Sequence, residues 1–194
     1  MATREKILEA VLKNQPPITV MPDTSMFKGN NTDLAKKYMD VFKTIGGAAF
    51  LVDDMDSIKK LINENFDVSK RVVTTLPELS DRFELVSSAA DPHSYDDIEL
   101  AIINGHFSVA ENGAVWFTEE VMGQRIIPYI CQHLAVIVKA ETIVPTLHEA
   151  YEKIGAGDYG FGAFISGPSK TADIEQALVL GAHGPLTMTV FIMK

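Results

Sequence analysis

The first half of the chain alternates helix-like and strand-like apolar patterns, and this alternation limits the fold more than any other feature. A helical apolar pattern ends at Gly46–Gly47, and the continuous apolar run Ala48–Val52 that follows is typical of a buried strand. A second helical pattern begins at Asp54 or Asp56, and Val72–Val73 starts the next strand. Because the helix carries the chain back across the sheet, this strand–helix–strand order predicts parallel strands.

The rest of the chain continues the strand pattern. Apolar segments recur at Leu100–Ile103, Ala114–Phe117, Leu134–Val138, Gly160–Ile165 and Leu186–Met193. We expect a helix near Thr146–Ile154 and an N-terminal helix and polar loop over residues 1–30, and Asn31 or Thr32 is the expected N-cap of the helix before the glycine pair. The sequence therefore predicts one α/β domain over residues 1–194, with a mixed, largely parallel sheet flanked by helices.

Composition restricts the partners and the redox chemistry. The 194 residues carry a net charge of −9, which repels phosphate backbones and anionic lipid surfaces, so we expect neither nucleic acid nor a membrane as a partner. The chain has no apolar run long enough to span a bilayer and no signal-peptide core, which favours a cytoplasmic protein. Cys131 is the sole cysteine, so this chain alone cannot hold a four-thiolate iron–sulfur cluster. We expect Cys131 to be a small buried residue rather than a nucleophile.

Several motifs favour structure over ligand binding. Gly155–Gly160 has the letters of a dinucleotide-binding loop, but it follows a helix and precedes a strand, which predicts a helix C-cap and a connecting turn. Gly162 and Gly167 have P-loop spacing, yet Pro168 occupies the position of the phosphate-binding lysine. The acidic segment Asp91–Asp97 is interpreted as a solvated loop. Since the histidines lack metal-ligand spacing, we expect no metal or cofactor on this chain.

The first candidate site is the turn Ser166–Thr171, which follows an apolar strand. Pro168 pre-sets a turn dihedral, and a helix that starts after the turn would direct backbone N–H groups at a small organic acid or a phosphate-like anion. His183 is expected to approach the same place, because strand ends meet at one edge of an open sheet. The candidate ligand-binding residues here are Ser166, Gly167, Ser169, Lys170, Thr171, Asp173 and His183. A capped helix that binds nothing is the alternative, because Asp173 and Glu175 already place negative charge at that helix end.

The second candidate site is Glu111, at a sharp turn formed with Asn112 and Gly113 before an apolar strand. At the rim of a sheet, a carboxylate in this position can act as a nucleophile, a general base or an orienting group. Glu111 is therefore the candidate catalytic residue, and Asn112 and Gly113 are further candidates for ligand binding. The alternative is a surface hairpin without chemistry, because Asn-Gly is a strong hairpin signal.

These segments resemble LUD-domain proteins, the family of bacterial lactate utilization protein C. The resemblance rests on Phe164–Glu175, Gly181–Pro185 and the turn at Glu111, and it extends from about Asn104 to the C-terminus. It implies the fold of the superfamily of sugar-phosphate isomerases and CoA transferases, with a ligand site at strand ends. It also implies an accessory or substrate-site subunit that works beside iron–sulfur partner proteins in oxidising L-lactate to pyruvate. The iron–sulfur clusters would then belong to the partner chains.

Two other functions stay open at this point. The segment Glu111–Gly113 also resembles the Ser-Glu-Asn-Gly motif of CoA transferases, with Ala110 in place of the serine, whereas LUD-domain proteins typically carry Thr where this chain has Asn112. This resemblance implies a stand-alone enzyme that uses Glu111 on acyl-CoA. The other alternative is a non-catalytic subunit that binds a small anion. The sequence also leaves open whether the chain forms a homodimer.

Overall fold

The computed structural model describes residues 3–20, 22–171 and 179–194. The helices are α1 (Thr3–Lys13), α2 (Leu34–Thr44), α3 (Met55–Asn65), α4 (Glu119–Met122), α5 (Ile127–Ile130) and α6 (Leu147–Ile154). The strands are β1 (Ala48–Val52), β2 (Val72–Thr74), β3 (Glu84–Leu85), β4 (Leu100–Asn104), β5 (Phe107–Ser108), β6 (Val115–Thr118), β7 (His133–Lys139), β8 (Gly162–Ile165), β9 (Lys170–Thr171), β10 (Val179–Leu180) and β11 (Thr187–Met193).

A parallel sheet forms the centre of the fold. Within the described residues it has six strands in the order β1, β11, β7, β4, β2, β3, and every neighbouring pair is parallel. Strand β11 lies between β1 and β7, so that Thr189 pairs with Ala48 on one side and with Ala135 on the other. The predicted fold class, a mixed α/β fold with a largely parallel sheet flanked by helices, is confirmed.

Helices cover both faces of this sheet because its strands are apolar on both faces. Along β7, Val136 belongs to the core cluster that contains Phe42 of α2, whereas Ile137 belongs to the cluster that contains Ile62 of α3. Successive side chains of a strand point to opposite faces, so α2 and α3 pack on opposite sides of the sheet. Burial of each such side chain contributes about 1.5–3 kcal/mol relative to exposure.

Both helices begin at an aspartate. The carboxylate of Asp33 accepts a hydrogen bond from Lys36 N at 3.3 Å at the start of α2, and that of Asp54 accepts one from Ser57 N at 2.7 Å at the start of α3. Asp54 is one of the two predicted caps of α3. The predicted cap of α2 at Asn31 or Thr32 was wrong, because Asp33 adopts a left-handed conformation, with φ +48°, that turns the chain into the helix.

A smaller antiparallel sheet of β5, β6 and β8 packs against α6. Its strands approach closely at Gly162, where a Cβ atom would lie 2.4 Å from the ring of Trp116. The helix α6 ends at Ile154, and the backbone N–H of Gly155 donates to the carbonyl oxygen of Tyr151 at 2.9 Å. The predicted helix C-cap and connecting turn in Gly155–Gly160 is therefore confirmed.

The N-terminal helix was predicted from its apolar spacing, and α1 confirms it. Its apolar side chains, from Ile7 to Leu12, are exposed, and α1 has no buried residue among those described. No helix among the described residues combines the length and the apolar character needed to cross a membrane.

Candidate functional site

Glu111, Asn112 and Gly113 form the tip of the hairpin that joins β5 to β6. The side-chain oxygen of Asn112 accepts a hydrogen bond from Ala114 N at 3.0 Å, and Gly113 has a φ of +72°, a conformation that favours glycine. The backbone N–H of Val109 donates to the carbonyl oxygen of Ala114 at 2.8 Å and closes the hairpin. The Asn-Gly turn before a buried strand is present as the sequence indicates.

The hairpin tip is anchored on α2. The hydroxyl of Tyr38 donates to the carbonyl oxygen of Gly113 at 3.1 Å, and both residues are buried. Burial raises the pKa of Tyr38 above its ordinary value, so the hydroxyl stays protonated and able to donate. A Cβ atom on Gly113 would lie 2.9 Å from Ile45 Cδ1 and 3.1 Å from Phe42 Cδ2, so only glycine fits between the hairpin and the helix.

The carboxylate of Glu111 contacts a different helix. Its Oε2 atom accepts a hydrogen bond from Leu147 N, the first residue of α6, at 2.7 Å. The side chain of Thr146 caps the same helix by accepting from Glu149 N. A carboxylate at a helix N-terminus is stabilised by the unpaired N–H groups and the helix dipole. Glu111 therefore holds α6 in place, and a thioester on Glu111 would require the carboxylate to leave Leu147.

Replacing Glu111 with alanine is expected to lower the free energy of unfolding by about 1 kcal/mol, the usual cost of losing a helix cap. Glu111→Gln keeps a side-chain oxygen for Leu147 N and is expected to retain most of the stability. Urea unfolding of the two variants beside the wild type measures the difference. Equal stability of Glu111→Ala and the wild type would show that the bond to α6 contributes nothing.

The turn after β8 contacts both the hairpin tip and α2. The hydroxyl of Ser166 donates to the carbonyl oxygen of Asn112 at 2.7 Å. Gly167 has a φ of +74° and lies against Ile45, and the ammonium group of Lys170 donates to the carbonyl oxygen of Ile45, the C-cap residue of α2. A lysine at this position pairs with a helix C-terminus, where carbonyl groups lack intrahelical partners.

The structure differs from the sequence prediction directly after this turn. Lys170 and Thr171 form β9, which pairs with Val179 and Leu180 of β10. They therefore do not begin a helix, and the predicted cradle of N–H groups is absent at these two residues because their backbone pairs with a second strand. The rest of the predicted helix start, including the candidate Asp173, lies outside the described residues.

The turn Gly181–Pro185 lies beside the turn at Ser169, as predicted. Ser169 N donates to the carbonyl oxygen of Pro185 at 2.9 Å, and Gly181 N donates to the carbonyl oxygen of Ser169 at 3.1 Å. The side chain of His183 is exposed and has no side-chain partner among residues 3–20, 22–171 and 179–194. We call Glu111–Gly113, Ser166–Thr171 and Gly181–Pro185 together the three-turn cluster.

The three-turn cluster lies at the amino end of the parallel sheet. Ile45, which contacts two of its turns, comes just before β1, and Pro185 comes just before β11. Ligands of open parallel sheets usually bind at the opposite, carboxyl edge. The cluster nevertheless presents the ammonium group of Lys170 and the imidazole of His183 on neighbouring turns, which is chemistry suited to a small anion.

Other residues singled out in the sequence have structural roles. Cys131 is buried, and burial raises its pKa to about 12, so it stays a thiol at neutral pH. Asp97 and Glu84 both bind the guanidinium group of Arg71, which sequence reasoning missed because the three residues are far apart in the chain. Among the described residues, no group of three or more His, Cys, Asp or Glu side chains could hold a metal ion.

Comparison with known proteins identifies the family. The sequence profile described as the LUD domain matches residues 93–193, more than half of the chain and all three turns of the cluster. The chain belongs to the LUD domain family. The recognition made from its motifs is thereby confirmed.

Several curated relatives of this LUD-domain chain share one name. Lactate utilization protein C from Bacillus pumilus is 29% identical over 116 residues, which is 54% of this chain and 48% of that protein. Lactate utilization protein C 1 from Bacillus mycoides is 33% identical over 101 residues, 49% of this chain and 43% of that protein. A lactate utilization protein C from a Geobacillus species is 24% identical over 200 residues, 98% of this chain and 79% of that protein. In the first two matches, the chain spans about half the length of the relative or less.

A solved structure supports the fold of this LUD-domain chain. The crystal structure of a DUF162 family protein from Deinococcus radiodurans superposes with a TM-score of 0.65 over 85% of this chain and 99% of that chain. The two sequences are 15% identical, so the similarity concerns the fold alone.

Proposed function

We propose that this LUD-domain chain is a component of lactate utilization, an accessory or substrate-site subunit that acts beside iron–sulfur partner proteins in oxidising L-lactate to pyruvate. The observation that supports it most is the Geobacillus relative named lactate utilization protein C, which aligns with 98% of the chain. The partner proteins would carry out the electron transfer, because the one cysteine of this chain is buried and cannot ligate a four-thiolate cluster alone.

The three-turn cluster is the proposed contact surface for the small anion. Lys170 supplies a positive charge whose position is fixed by the carbonyl oxygen of Ile45. His183 lies on the adjoining turn Gly181–Pro185 with an exposed side chain, so an anion can reach it. A carboxylate accepts charge-assisted hydrogen bonds from such groups, which are about twice as strong as neutral ones.

Growth on L-lactate tests this proposal. In the cells that encode the chain, deletion of its gene is expected to abolish growth on L-lactate but not on glucose, and the wild-type chain is expected to restore it. Lys170→Ala is expected to restore growth only partly, because the bound small anion would no longer have the ammonium group of Lys170 as its partner. Lys37→Ala is the matched control, since Lys37 is an exposed lysine of α2 outside the three-turn cluster.

Two outcomes would contradict different parts of the proposal. Normal growth of the deletion strain on L-lactate would remove the role in lactate utilization. Normal growth with both Lys170→Ala and Glu111→Gln would keep that role and remove the three-turn cluster from it.

Anaerobic affinity purification of the chain is expected to recover cysteine-rich iron–sulfur proteins in stoichiometric amounts, and recovery of the chain alone would remove the proposed partners.

A further inference from the structure

A cleft of about 380 Å³ opens at the carboxyl edge of the parallel sheet, opposite the three-turn cluster. Its lining includes the last residues of three adjacent strands, Asn104 of β4, Lys139 of β7 and Met193 of β11. Open α/β sheets bind ligands in crevices outside the carboxyl ends of their strands. The volume lies within the range of sites for small organic ligands.

One wall of the cleft is apolar. Met55, from the first turn of α3, and Met193, at the end of β11, present flexible thioether side chains to it. Methionine side chains adapt to ligands of different shape. This wall suits the apolar body of an organic molecule rather than a hydrated inorganic ion.

The polar side chains of the cleft include one cation without a partner. The ammonium group of Lys139 has no ion pair or hydrogen bond among the described residues, and the exposed residue Asn104 lines the same cleft from the neighbouring strand. His106 is oriented by a contact of 2.7 Å between its Nε2 atom and Thr118 Oγ1. In a chain with a net charge of −9, an unpaired lysine in a concave, partly apolar site favours an anionic ligand.

One carboxylate opposes this charge. Glu78 also lines the cleft, and it has no cationic partner among the described residues. The carboxylate of Asp53, directly after β1, is paired with the ammonium group of Lys194 at 2.8 Å. Glu78 is therefore the acidic side chain that should weaken an anion bound in the cleft, and its removal should strengthen binding.

We infer that this cleft is a second binding site, for a small organic acid with an apolar body. The carboxylate of the ligand pairs with Lys139 and hydrogen bonds to Asn104, while its body packs on Met55 and Met193. The site shares no residue with the three-turn cluster and does not depend on the proposed role in lactate utilization.

Methyl NMR of the full chain with ¹³C-labelled methionine tests this site, with benzoate as the probe. The Met55 and Met193 signals, assigned by Met→Leu variants, are expected to shift saturably at millimolar benzoate. Met188, at the amino end of the strand that carries Met193, is expected not to shift. Benzamide, which has nearly the same shape without the charge, is expected to bind about tenfold more weakly or not at all.

Substitutions of charged residues test which side chain contacts the carboxylate of benzoate. Lys139→Gln is expected to weaken benzoate binding about fivefold or more, Glu78→Gln to strengthen it, and Lys60→Gln, an exposed lysine of α3, to leave it unchanged. Unchanged Met122 and Met188 signals confirm that each variant is folded, since both side chains are buried in the core. Absence of saturable shifts, equal binding of benzamide, or full binding by Lys139→Gln would overturn the inference. These readouts are independent of growth on lactate.

Discussion

Replacing Gly113 with alanine is expected to lower the free energy of unfolding by about 2–5 kcal/mol. Two penalties add at this position. The φ of +72° places a non-glycine residue in the left-handed region, and the added methyl group would lie 2.9 Å from Ile45 and 3.1 Å from Phe42. The hairpin must move away from α2 to relieve the contact, which also strains the hydrogen bond from Tyr38. Chemical denaturation followed by circular dichroism measures the loss.

Gly46→Ala is the matched control for this prediction. Gly46 has a φ of +87°, but a Cβ atom there would have no neighbour nearer than 3.7 Å in the part of the chain that the structure describes. The free energy of unfolding of this variant is therefore expected to fall only by the cost of placing alanine in the left-handed region, about 1–2 kcal/mol. If Gly113→Ala lost no more stability than Gly46→Ala, the close packing of the hairpin tip on α2 would be wrong.

Replacing Arg71 with methionine is expected to lower the midpoint of thermal unfolding by about 2–4 °C at pH 7, the shift that a loss of about 1 kcal/mol produces in a chain of 194 residues. The guanidinium group binds both carboxylate oxygens of Glu84, at 2.9 and 2.7 Å, and it binds Asp97 and the carbonyl oxygen of Ser94 at 2.5 Å each. It also lies over the ring of Tyr95. Arg71→Lys is the control that keeps the charge, and it is expected to recover part of the loss because an ammonium group cannot bind these oxygens in the same planar geometry.

The effect of Arg71→Met should depend on pH. Hydrogen bonds from Arg71 lower the pKa of Glu84 and of Asp97 below their ordinary values of 4.5 and 3.8. A lowered carboxyl pKa in the folded state stabilises the fold above the ordinary pKa, and this contribution is lost as the pH falls through the folded-state value. The difference between wild type and Arg71→Met should therefore be full at pH 7 and shrink below about pH 4. A constant difference down to pH 2 would show that packing on Tyr95, rather than charge, carries the effect.

Most of the central sheet was predictable because its signals are local. The glycine pair before Ala48–Val52 and the carboxylate at Asp54 both act within a few residues of the element they define. The cap of α2 was wrong by one or two residues, since Asn31, Thr32 and Asp33 have similar capping chemistry and only the backbone at Asp33 decides between them.

The candidate site was predictable in its members but not in its arrangement. The turns at Gly113 and Gly167 carry local glycine signals, and both appear in the structure with positive φ. The strand at Lys170 was missed because its partner, Leu180, follows ten positions later and no local pattern joins them. The cleft at Lys139 was missed for a similar reason, since the register of three strands brings its residues together.

The position of β11 also determines when the sheet can be completed during synthesis. Thr187–Met193 leaves the ribosome after β1 and β7, yet it pairs with both of them. Until it emerges, the facing edges of β1 and β7 expose unpaired backbone groups, which are templates for association with other chains. Pairing between positions as distant as Ala48 and Thr189 is also slow to form. The nascent chain therefore has an aggregation-prone interval, and its yield in cells should depend on chaperones that cover these edges.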